Sequence, residues 1–538
     1  MTMTTTTQQQ RPRDDVYARL EERIIARDQI GTSQIFYDLV REGRSSQELA
    51  REATRIFAPY THVPFHQRND SGDIRFVNND HCLLSMRATF MLQNLVPAEA
   101  KHLPMAQTFW YIPSALDPWN QLLGKAPGHY NRSPDQANLD VLQPVVHWPD
   151  GEPLVDSTSS LQEKLDHWLT LIMRYQVNEA YRYFLGIIES HPNEREQIMA
   201  QLAFAGLINV QDKSVSRVSF VTGHRAYRAR ATIEVADAVG WESAHDVLYA
   251  GVLDQGVGPH WYSQYEMACT YCRLALQGQD IEFAKTNATS LTPEQVKQTV
   301  NTIMDGDEMA VARHMGEMLK EGISIGSLID AIQLAAAESI LQCGSPMAYN
   351  MPMHVFEYCN TVRWFFDRFE HPHKAKLVFV AAIFVNEVFL NIRSWPGNGP
   401  RPIKAPQAAA AWSQGKLLQK IDESIIALQP DDAVGLTHAY LEQQYDTRPL
   451  VSTLAFAASK MGNDPHNQEI SLCLLEDFGR NSHAARGRLL LASAGHAAGH
   501  RKYGDPLEAY RRFAEAFGIE SRQDAKGDAP IEESFDDD

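Results

Sequence analysis

A segment that begins at His81 recurs at His224, and this internal repeat constrains the fold more than any single motif. The order His-x5-Arg-Ala-Thr begins at both histidines, and a second histidine follows each of them by 21 residues (102 − 81 = 21; 245 − 224 = 21). A looser third copy begins at His354, and there the second histidine, His373, follows after 19 residues (373 − 354 = 19). Self-similarity of this kind indicates one supersecondary unit that has been copied. The fold is therefore predicted to be a stack of such units.

Each copy of the repeat has the pattern of two helices joined by a short turn. The leading histidine stands near the start of the first helix, and a more apolar second helix follows the turn. Residues 311–341 share this scaffold without a leading histidine, while residues 449–478 have His466 before the second helix and Ser/Thr in the leading position. Most other segments also have apolar residues at i, i+3, i+4 and i+7. The sequence predicts an all-α fold of stacked antiparallel helical hairpins, a helical-repeat-like array with long irregular loops.

The helical domain is predicted to span residues 14–520 and could divide near 159–215. Residues 1–13 are rich in Thr and Gln, and residues 521–538 are acidic and poor in apolar side chains, so both segments are predicted to be disordered. The Pro-, Gly- and Trp-rich stretch 113–158 has a length typical of a functional lid or a crossover. The aromatic side chains in and just before this stretch could line a pocket for a flat, apolar substrate, or they could plug the end of the helix stack.

The composition is that of a soluble globular protein large enough to bury a sizeable core. Of its 538 residues, 44% are hydrophobic and 22% are charged, and the mean hydropathy is −0.34. The formal net charge is −18 and the sequence has no cluster of Lys and Arg. Nucleic acids and anionic membranes both attract basic clusters, so neither is an expected partner.

The sequence predicts a cytoplasmic protein without a membrane span. Its best apolar run, 377–385, is interrupted by Asn386 and Glu387 and is shorter than the about 20 residues a span needs. The N-terminus has no apolar stretch of the kind found in a secretory signal. Six unevenly spaced cysteines are too few for a disulfide scaffold and fit a reducing compartment.

The three leading histidines are the candidate metal ligands. His81, His224 and His354 occupy equivalent places on three hairpins, so they could converge on one ion if the hairpins pack around a common axis. Neutral imidazole suits Zn, Fe and Cu sites, and a metal ion, Fe or Zn, is the predicted cofactor. The alternative is that each histidine is a hydrogen-bonded core or cap residue of its own hairpin.

Four further residues are candidate acid/base or anion-binding groups. His62, His66 and Asp80 are concentrated just before and beside the first leading histidine, although Pro64 makes a regular helix between the two histidines improbable. Arg228 lies four residues after the second leading histidine and could hold a carboxylate or an anionic oxygen. The alternatives are a polar loop that caps a helix and ordinary salt bridges.

Two other patterns have both a chemical and a structural interpretation. Cys269 and Cys272 form a single C-x-x-C inside a helical segment, where buried structural cysteines are favoured over a redox or zinc site. His496 and His500 are spaced i,i+4 on a Gly- and Ala-rich run, which suits metal ligands on one helix face or an exposed turn. Motifs of dinucleotide, nucleotide, zincin and α/β-hydrolase sites are absent from the sequence.

The histidine-led helix, turn and apolar returning helix of residues 354–385 resemble the helical, histidine-rich domain of the questin-oxidase-like proteins. The resemblance would cover most of residues 60–500 in architecture, and its motifs are short. It implies an oxygenase or a related oxidoreductase that acts on a polycyclic or aromatic substrate. It assigns no catalytic residue to a position of this chain, so the candidate residues rest on the repeat.

The leading functional hypothesis is a metal-dependent, oxygenase-like oxidoreductase. It would act on a small aromatic or apolar molecule in a helical cavity that is lined by the repeated histidines and reached past the 113–158 loop. One alternative is a non-catalytic helical-repeat scaffold that binds a protein partner. Another is a metal-free lyase or isomerase with His and Arg as acid/base groups. A scaffold would have dispersed histidines, whereas an enzyme would have several converging; the sequence also leaves room for a homo-oligomer.

Overall fold

The structure is a computed structural model, and it confirms the all-α prediction. It describes residues 15–58, 62–63, 77–78, 80–115, 153–174, 176–215, 218–221, 223–256, 262–345, 348–462, 464–499 and 505–519. The two terminal segments predicted to be disordered, 1–13 and 521–538, lie outside the described residues. So do residues 116–152, which make up most of the predicted long loop.

α-Helices make up most of the described chain. In chain order they are α1 Asp15–Ile25, α2 Gln29–Arg41, α3 Ser46–Phe57, α4 Asp80–Leu92, α5 Leu103–Ala115, α6 Leu161–Met173, α7 Val177–Ser190, α8 Arg195–Ile208, α9 His224–Val239, α10 His245–Gly256, α11 Ser263–Ala275, α12 Pro293–Asp305, α13 Glu308–Lys320, α14 Ile325–Gln342, α15 Asn350–Arg368, α16 Leu377–Ile392, α17 Gln414–Ile426, α18 Pro430–Glu442, α19 Thr447–Lys460, α20 His466–Arg480, α21 Gly487–Gly499 and α22 Glu508–Phe517.

Side-chain caps explain where several helices begin. The Ser160 hydroxyl accepts from the backbone N–H of Glu163, whose carboxylate accepts from the Ser160 N–H in return, so α6 begins with a capping box. Thr292 and Gln295 form the same arrangement at the start of α12, and Pro293 occupies the first helical position, where no N–H donor is needed. These local signals fix helix starts without reference to the rest of the fold.

Two short antiparallel strand pairs precede two of the repeated helices. Strand β1, His62–Val63, pairs with β2, Val77–Asn78, before α4. Strand β3, Gln211–Val215, pairs with β4, Val218–Val221, before α9. Both lie where the sequence alternates apolar and polar residues, the pattern of a half-buried strand.

Four helices, α4, α9, α15 and α20, form a closed ring, and we call them the ring helices. α4 contacts α9, α9 contacts α15, α15 contacts α20, and α20 contacts α4 again. Each ring helix also packs against the helix that follows it, α5, α10, α16 or α21. Because α4 and α20 come from opposite ends of the described chain, the ring joins distant parts of the sequence around one centre.

The most apolar helix, α16, is part of the core. The segment Lys374–Ile392 is long and apolar enough to cross a membrane, but 78% of its most apolar window is buried inside the protein. Asn386, which interrupts the apolar run in the sequence, donates from Nδ2 to the backbone oxygens of Ile303 and Gly306, 2.8 Å from each. The polar interruption therefore caps the end of α12 inside the core.

Candidate functional site

Four buried histidines, one from each ring helix, meet at the centre of the ring. Ring centroids are 5.5 Å apart for His81 and His224, 4.6 Å for His224 and His354, 5.4 Å for His354 and His466, and 4.4 Å for His466 and His81. None of the four is more than 5% exposed. The structure thus brings together the three histidines that the sequence predicted as ligands and adds His466. We call these four residues the histidine ring.

The spacing of the imidazole nitrogens suits a metal ion. One nitrogen from each of His81, His224 and His466 lies within 4.8 Å of the other two. The Nε2 atoms of His354 and His224 are 3.1 Å apart. Two nitrogens bound at about 2.1 Å to one ion lie roughly 3.0–3.4 Å apart when they are neighbours in an octahedral or tetrahedral shell. The first three histidines form the best-defined donor set, and His354 adjoins it.

Oxygen acceptors hold the Nδ1 atoms of three of these histidines. The Glu469 carboxylate lies 3.0 Å from Nδ1 of His81, and the Asp464 carboxylate lies 2.8 Å from Nδ1 of His466. Nδ1 of His354 donates to a backbone carbonyl one turn earlier in α15, at 2.8 Å. A proton on Nδ1 leaves the lone pair of a neutral imidazole on Nε2. In each of these three residues the lone pair therefore lies on Nε2, an arrangement also found in histidines that bind metal ions.

The start of α9 depends on a glycine that lets this helix lie close to the other helices of the histidine ring. Gly223 precedes His224 and has a φ of +80°, a conformation that favours glycine. A Cβ atom at this position would lie 2.9 Å from the Tyr227 hydroxyl and 3.0 Å from the Tyr358 ring. Any larger residue would push His224 away from its partners.

Beneath the histidine ring the centre of the bundle is tightly packed. The gap between the ring helices at this level is too narrow to hold a water molecule, and its walls are Leu84, Arg87, Tyr227, Arg230, Glu357, Thr361, Glu469 and Cys473. Glu357 and Glu469 each follow a histidine of the ring by three residues (357 − 354 = 3; 469 − 466 = 3). This gap therefore has no room for an organic molecule.

The carboxyl group of Glu357 is held neutral by its surroundings. Burial, followed by the charge of nearby Glu469, raises the pKa of Glu357 from 4.5 to about 8. Its Oε2 atom is buried and has no hydrogen-bond partner among the described residues. A protonated carboxyl group beside four imidazoles can supply or accept a proton.

Replacing Glu357 by glutamine is expected to flatten the pH dependence of stability in the metal-free protein. Glu357 ionises near pH 4.5 in the unfolded chain and near pH 8 in the folded one, so the stability linked to its proton is present below pH 4.5 and is lost as the pH rises through 8. The glutamine in Glu357→Gln cannot ionise. At pH 9 the free energy of unfolding of this variant should therefore exceed that of wild type by on the order of a few kcal/mol. Guanidinium unfolding at pH 5, 7 and 9 measures this difference. Glu42→Gln, at an exposed position, serves as the control, and a Glu357→Gln profile parallel to wild type would contradict the expectation.

A buried ionic layer lies about two to three turns below the histidines. The Glu476 carboxylate accepts from Nη2 of Arg87 at 2.9 Å and from Nη2 of Arg230 at 2.8 Å. Both arginines also pair with Glu234, and Arg230 donates to Asn360 as well. Burial alone would raise the pKa of Glu476, but the Arg230 and Arg87 guanidiniums lower it to about 2. Arg87, Arg230 and Asn360 occupy equivalent positions of the repeat. The Arg-Ala pair of the first two copies and the Asn-Thr pair of the third therefore each contribute one residue to this ionic layer.

The four residues predicted as acid/base groups are not part of the described histidine ring. Arg228 is buried and donates from Nε to the backbone oxygen of His224, at 3.2 Å. His62 lies in β1 and Asp80 is the first residue of α4. The side chains of His62 and Asp80, and the whole of His66, fall outside the described residues, so their predicted roles stay predictions.

Sequence reasoning missed His466 because it placed the residue at the start of the second helix of the 449–478 pair, where it does lie, without recognising it as the leading histidine of the next pair, α20 and α21. His466 is the first residue of ring helix α20. One signal could have found it: His483 follows His466 by 17 residues (483 − 466 = 17), and His371 follows His354 by the same distance (371 − 354 = 17). Aligning on His371 instead of His373 reveals the fourth copy.

The C-x-x-C pair lies in α11, and its burial is consistent with the structural role that the sequence favours. Cys272 is buried in α11 and Cys269 is partly buried. Burial raises the pKa of Cys272 to about 12 and raises the pKa of Cys269 as well. A thiol with a raised pKa is a poor nucleophile and a poor metal ligand, since both roles require the thiolate.

Cys272 is therefore expected to resist iodoacetamide at pH 8 in the folded protein. The thiolate fraction at that pH is small and the side chain is buried, so mass spectrometry after a one-hour exposure should find it unmodified. The same treatment in guanidinium should alkylate all six cysteines, which controls for the reagent. Rapid modification of folded Cys272 would show instead that the pair is reactive.

A second cleft lies away from the histidine ring. It has a volume of about 700 Å³ and lies near the C-terminal end of α15, where Arg368, Phe369 and His371 contribute to its wall. Nε2 of His371 is 3.2 Å from Oε1 of Gln201, and burial lowers the pKa of His371 to about 4. The cleft therefore contains a neutral, hydrogen-bonded histidine and none of the four histidines of the ring.

A scan against protein-family models and searches of curated proteins and of solved structures gave no match.

Proposed function

We propose that the histidine ring is a metal centre and that the protein is a metal-dependent oxidoreductase. The observation that carries the proposal is the convergence of His81, His224, His354 and His466 from four separate helices onto one buried point. A histidine with a purely structural role needs only one or two hydrogen-bond partners from its own neighbourhood. Four such histidines would therefore be dispersed through the fold. Their oxygen-bonded Nδ1 atoms further favour ligands prepared for an ion.

The donor set favours Fe(II) over a structural zinc ion. Structural zinc sites usually contain cysteine thiolates, whereas burial raises the pKa of Cys473, a thiol beside the gap below the ring, well above the ordinary value. Four imidazoles in an octahedral shell leave two positions open, as redox chemistry with dioxygen requires. Zn remains the second choice, with four histidines closing a tetrahedral shell.

The charges around the histidine ring are arranged for both a cation and an anionic ligand. The ring helices run side by side in one direction, because their histidines meet at one level and their arginines and glutamates meet at a lower one. Four helix N-termini therefore point toward the site and favour an anion. Glu469 and Asp464 beside the histidines offset this positive potential for a metal ion.

The residues of the chain would divide the work of catalysis as follows. Glu469 and Asp464 orient two of the imidazoles, and Glu357 carries a proton that it can transfer near the site. The metal ion, when bound, would activate dioxygen or polarise the substrate. Because the gap below the histidines has no free volume, the substrate would reach the site from the N-terminal side of the ring helices.

We further propose a small aromatic or polycyclic substrate. The support is the resemblance to the questin-oxidase-like proteins and the aromatic side chains that precede the long loop in the sequence, among them Trp110 and Tyr111 on α5. The net charge of −18 supports a small-molecule partner over nucleic acid. The cytoplasmic location and a homo-oligomeric state stay predictions.

Substrate-dependent oxygen uptake tests this function. The protein is dialysed against chelator, loaded anaerobically with Fe(II), and mixed with a panel of polycyclic phenols and quinones in an oxygen electrode. We expect uptake that requires both iron and one class of panel compound and that is absent from His224→Ala. A protein that binds iron but consumes no oxygen with any aromatic compound would reject the oxidoreductase and leave the metal centre intact.

The two alternative functions make different predictions in the same experiment. A metal-free lyase or isomerase would turn over a substrate after chelator treatment, with no oxygen consumed. A scaffold for a protein partner would bind no metal ion, and convergence of its histidines would serve no purpose. The buried convergence on one point therefore favours an enzyme over a scaffold.

A further inference from the structure

We infer that His496 and Tyr349 are positioning residues of the histidine ring, an inference that rests on the proposed metal centre. His496 lies in α21, which packs against ring helix α20, and its side chain is fully buried. Its Nε2 is 3.0 Å from the backbone oxygen of His466, and its Nδ1 is 3.1 Å from the Tyr349 hydroxyl. The imidazole therefore bridges the first residue of one ring helix and the residue that precedes another.

The two contacts fix which nitrogen of His496 carries the proton. A carbonyl oxygen only accepts, so Nε2 must donate to His466. In the neutral imidazole Nδ1 then accepts, and the Tyr349 hydroxyl donates to it. Burial raises the pKa of Tyr349 well above its ordinary value, so the phenol keeps its proton. With both nitrogens used in this way, His496 supports the site and is not a ligand.

The bridge joins two of the four ligand positions. His466 is the first residue of α20, and Tyr349 is the residue that precedes α15, five positions before His354 (354 − 349 = 5). The chain Tyr349–His496–His466 therefore ties the starts of α15 and α20 together. The imidazole centroids of His354 and His466 are 5.4 Å apart. The positions of the first residues of α15 and α20 set this distance.

Removing the Tyr349 hydroxyl leaves the core packing in place and breaks the bridge at one end. Phenylalanine has the same ring, so Tyr349→Phe changes little besides the hydrogen bond. His496 would then lose the partner that holds its tautomer and orientation, and the carbonyl of His466 would lose a fixed donor. The expected result is a looser donor set with the fold retained, since outer-shell changes typically cost about 10–100-fold in metal affinity.

Binding of Co(II) is the test. Chelator-dialysed wild type, Tyr349→Phe and the matched control Tyr17→Phe are titrated with Co(II) against a competing chelator, with the visible absorption of the bound ion recorded. Tyr17 is also buried and its hydroxyl also makes one side-chain hydrogen bond, to Glu48 at 2.6 Å, but it lies in α1. Tyr349→Phe should bind Co(II) about tenfold more weakly and with a shifted spectrum, and Tyr17→Phe should match wild type.

The outcomes separate this inference from the proposed function. Wild type that binds no Co(II) overturns the metal centre itself, and the positioning role falls with it. Wild-type affinity and spectrum in Tyr349→Phe, or an equal loss in Tyr17→Phe, overturn the positioning role alone. His496→Gln is the second variant, because it keeps an amide donor for the His466 carbonyl; it should weaken Co(II) binding in the same direction, and unchanged binding would likewise count against the role.

Discussion

Replacing Arg230 by methionine is expected to lower the free energy of unfolding by about 3–5 kcal/mol, because it leaves a buried carboxylate without one of its two partners. Arg230 is 1% exposed and pairs with both Glu476 and Glu234. Its guanidinium also lies 5.2 Å from the centroid of the Trp364 ring. Methionine fills part of the volume but offers no charge, so the loss reflects the unpaired Glu476 and not a cavity alone.

Guanidinium unfolding followed by circular dichroism measures this loss. The matched control is Arg512→Met, since Arg512 also pairs with a glutamate, Glu508, but both side chains are more than a third exposed. An exposed i,i+4 pair contributes at most about 1 kcal/mol, so the control should stay near wild type. Equal losses in the two variants would mean that the ionic layer is no more important than a surface pair.

Replacing His466 by alanine is expected to abolish stoichiometric metal binding while the fold is retained. His466 belongs to the best-defined donor set, and its loss removes a nitrogen that no nearby residue replaces within the described ring. The affinity should therefore fall by more than the about 10–100-fold that an outer-shell change costs. Helical circular dichroism and the unfolding midpoint report whether the variant is folded.

His483→Ala is the control for His466→Ala. His483 is buried as well and is the second histidine of the same helix pair, but its Nε2 lies 3.2 Å from the backbone oxygen of Ser327, away from the ring. Isothermal titration with Co(II) should give wild-type affinity for this variant. Retained affinity in His466→Ala, or equal loss in His483→Ala, would contradict the assignment of His466 as a ligand.

The sequence predicts the fold class and part of the architecture. Helical periodicity predicts the helices, and the repeat predicts that His81, His224 and His354 occupy equivalent places. The closing contact between α4 and α20 is not predictable in this way, because it depends on packing between segments almost 400 residues apart (466 − 81 = 385). A repeat predicts what each unit contains, whereas the packing decides which units meet.

The fourth copy of the repeat escaped detection because its marker residues differ. At the positions equivalent to Arg230-Ala231 of the second copy, α20 has Leu472-Cys473, so a search on the Arg-Ala pair fails there. What α20 keeps is the leading histidine and a carboxylate three residues later, Glu469, the pattern that α15 has with Glu357. Glu357 and Glu469 lie close to each other only in the folded protein, so their importance depends on the packing of α15 against α20.

Arg228 and Arg230 illustrate a geometric limit of sequence spacing. Arg228 was favoured because it follows His224 by four residues, which places the two on one helix face. Each residue turns a helix by about 100°, and the face that looks into the ring runs through His224, Tyr227, Arg230 and Glu234. This face is centred to one side of His224. Arg230 at position +6 takes part in the ionic layer, and Arg228 at position +4 donates to the backbone oxygen of His224.

X-ray absorption at the metal edge tests the central claim most directly. The protein is dialysed against chelator, reconstituted with Fe(II) under anaerobic conditions, freed of excess metal and measured beside His466→Ala treated in the same way. The account predicts one iron per chain with a shell dominated by imidazole nitrogens at about 2.1 Å, and no retained iron in the variant. Wild type that retains no iron, or a shell of oxygen atoms alone that is identical in His466→Ala, would contradict a metal centre at the histidine ring.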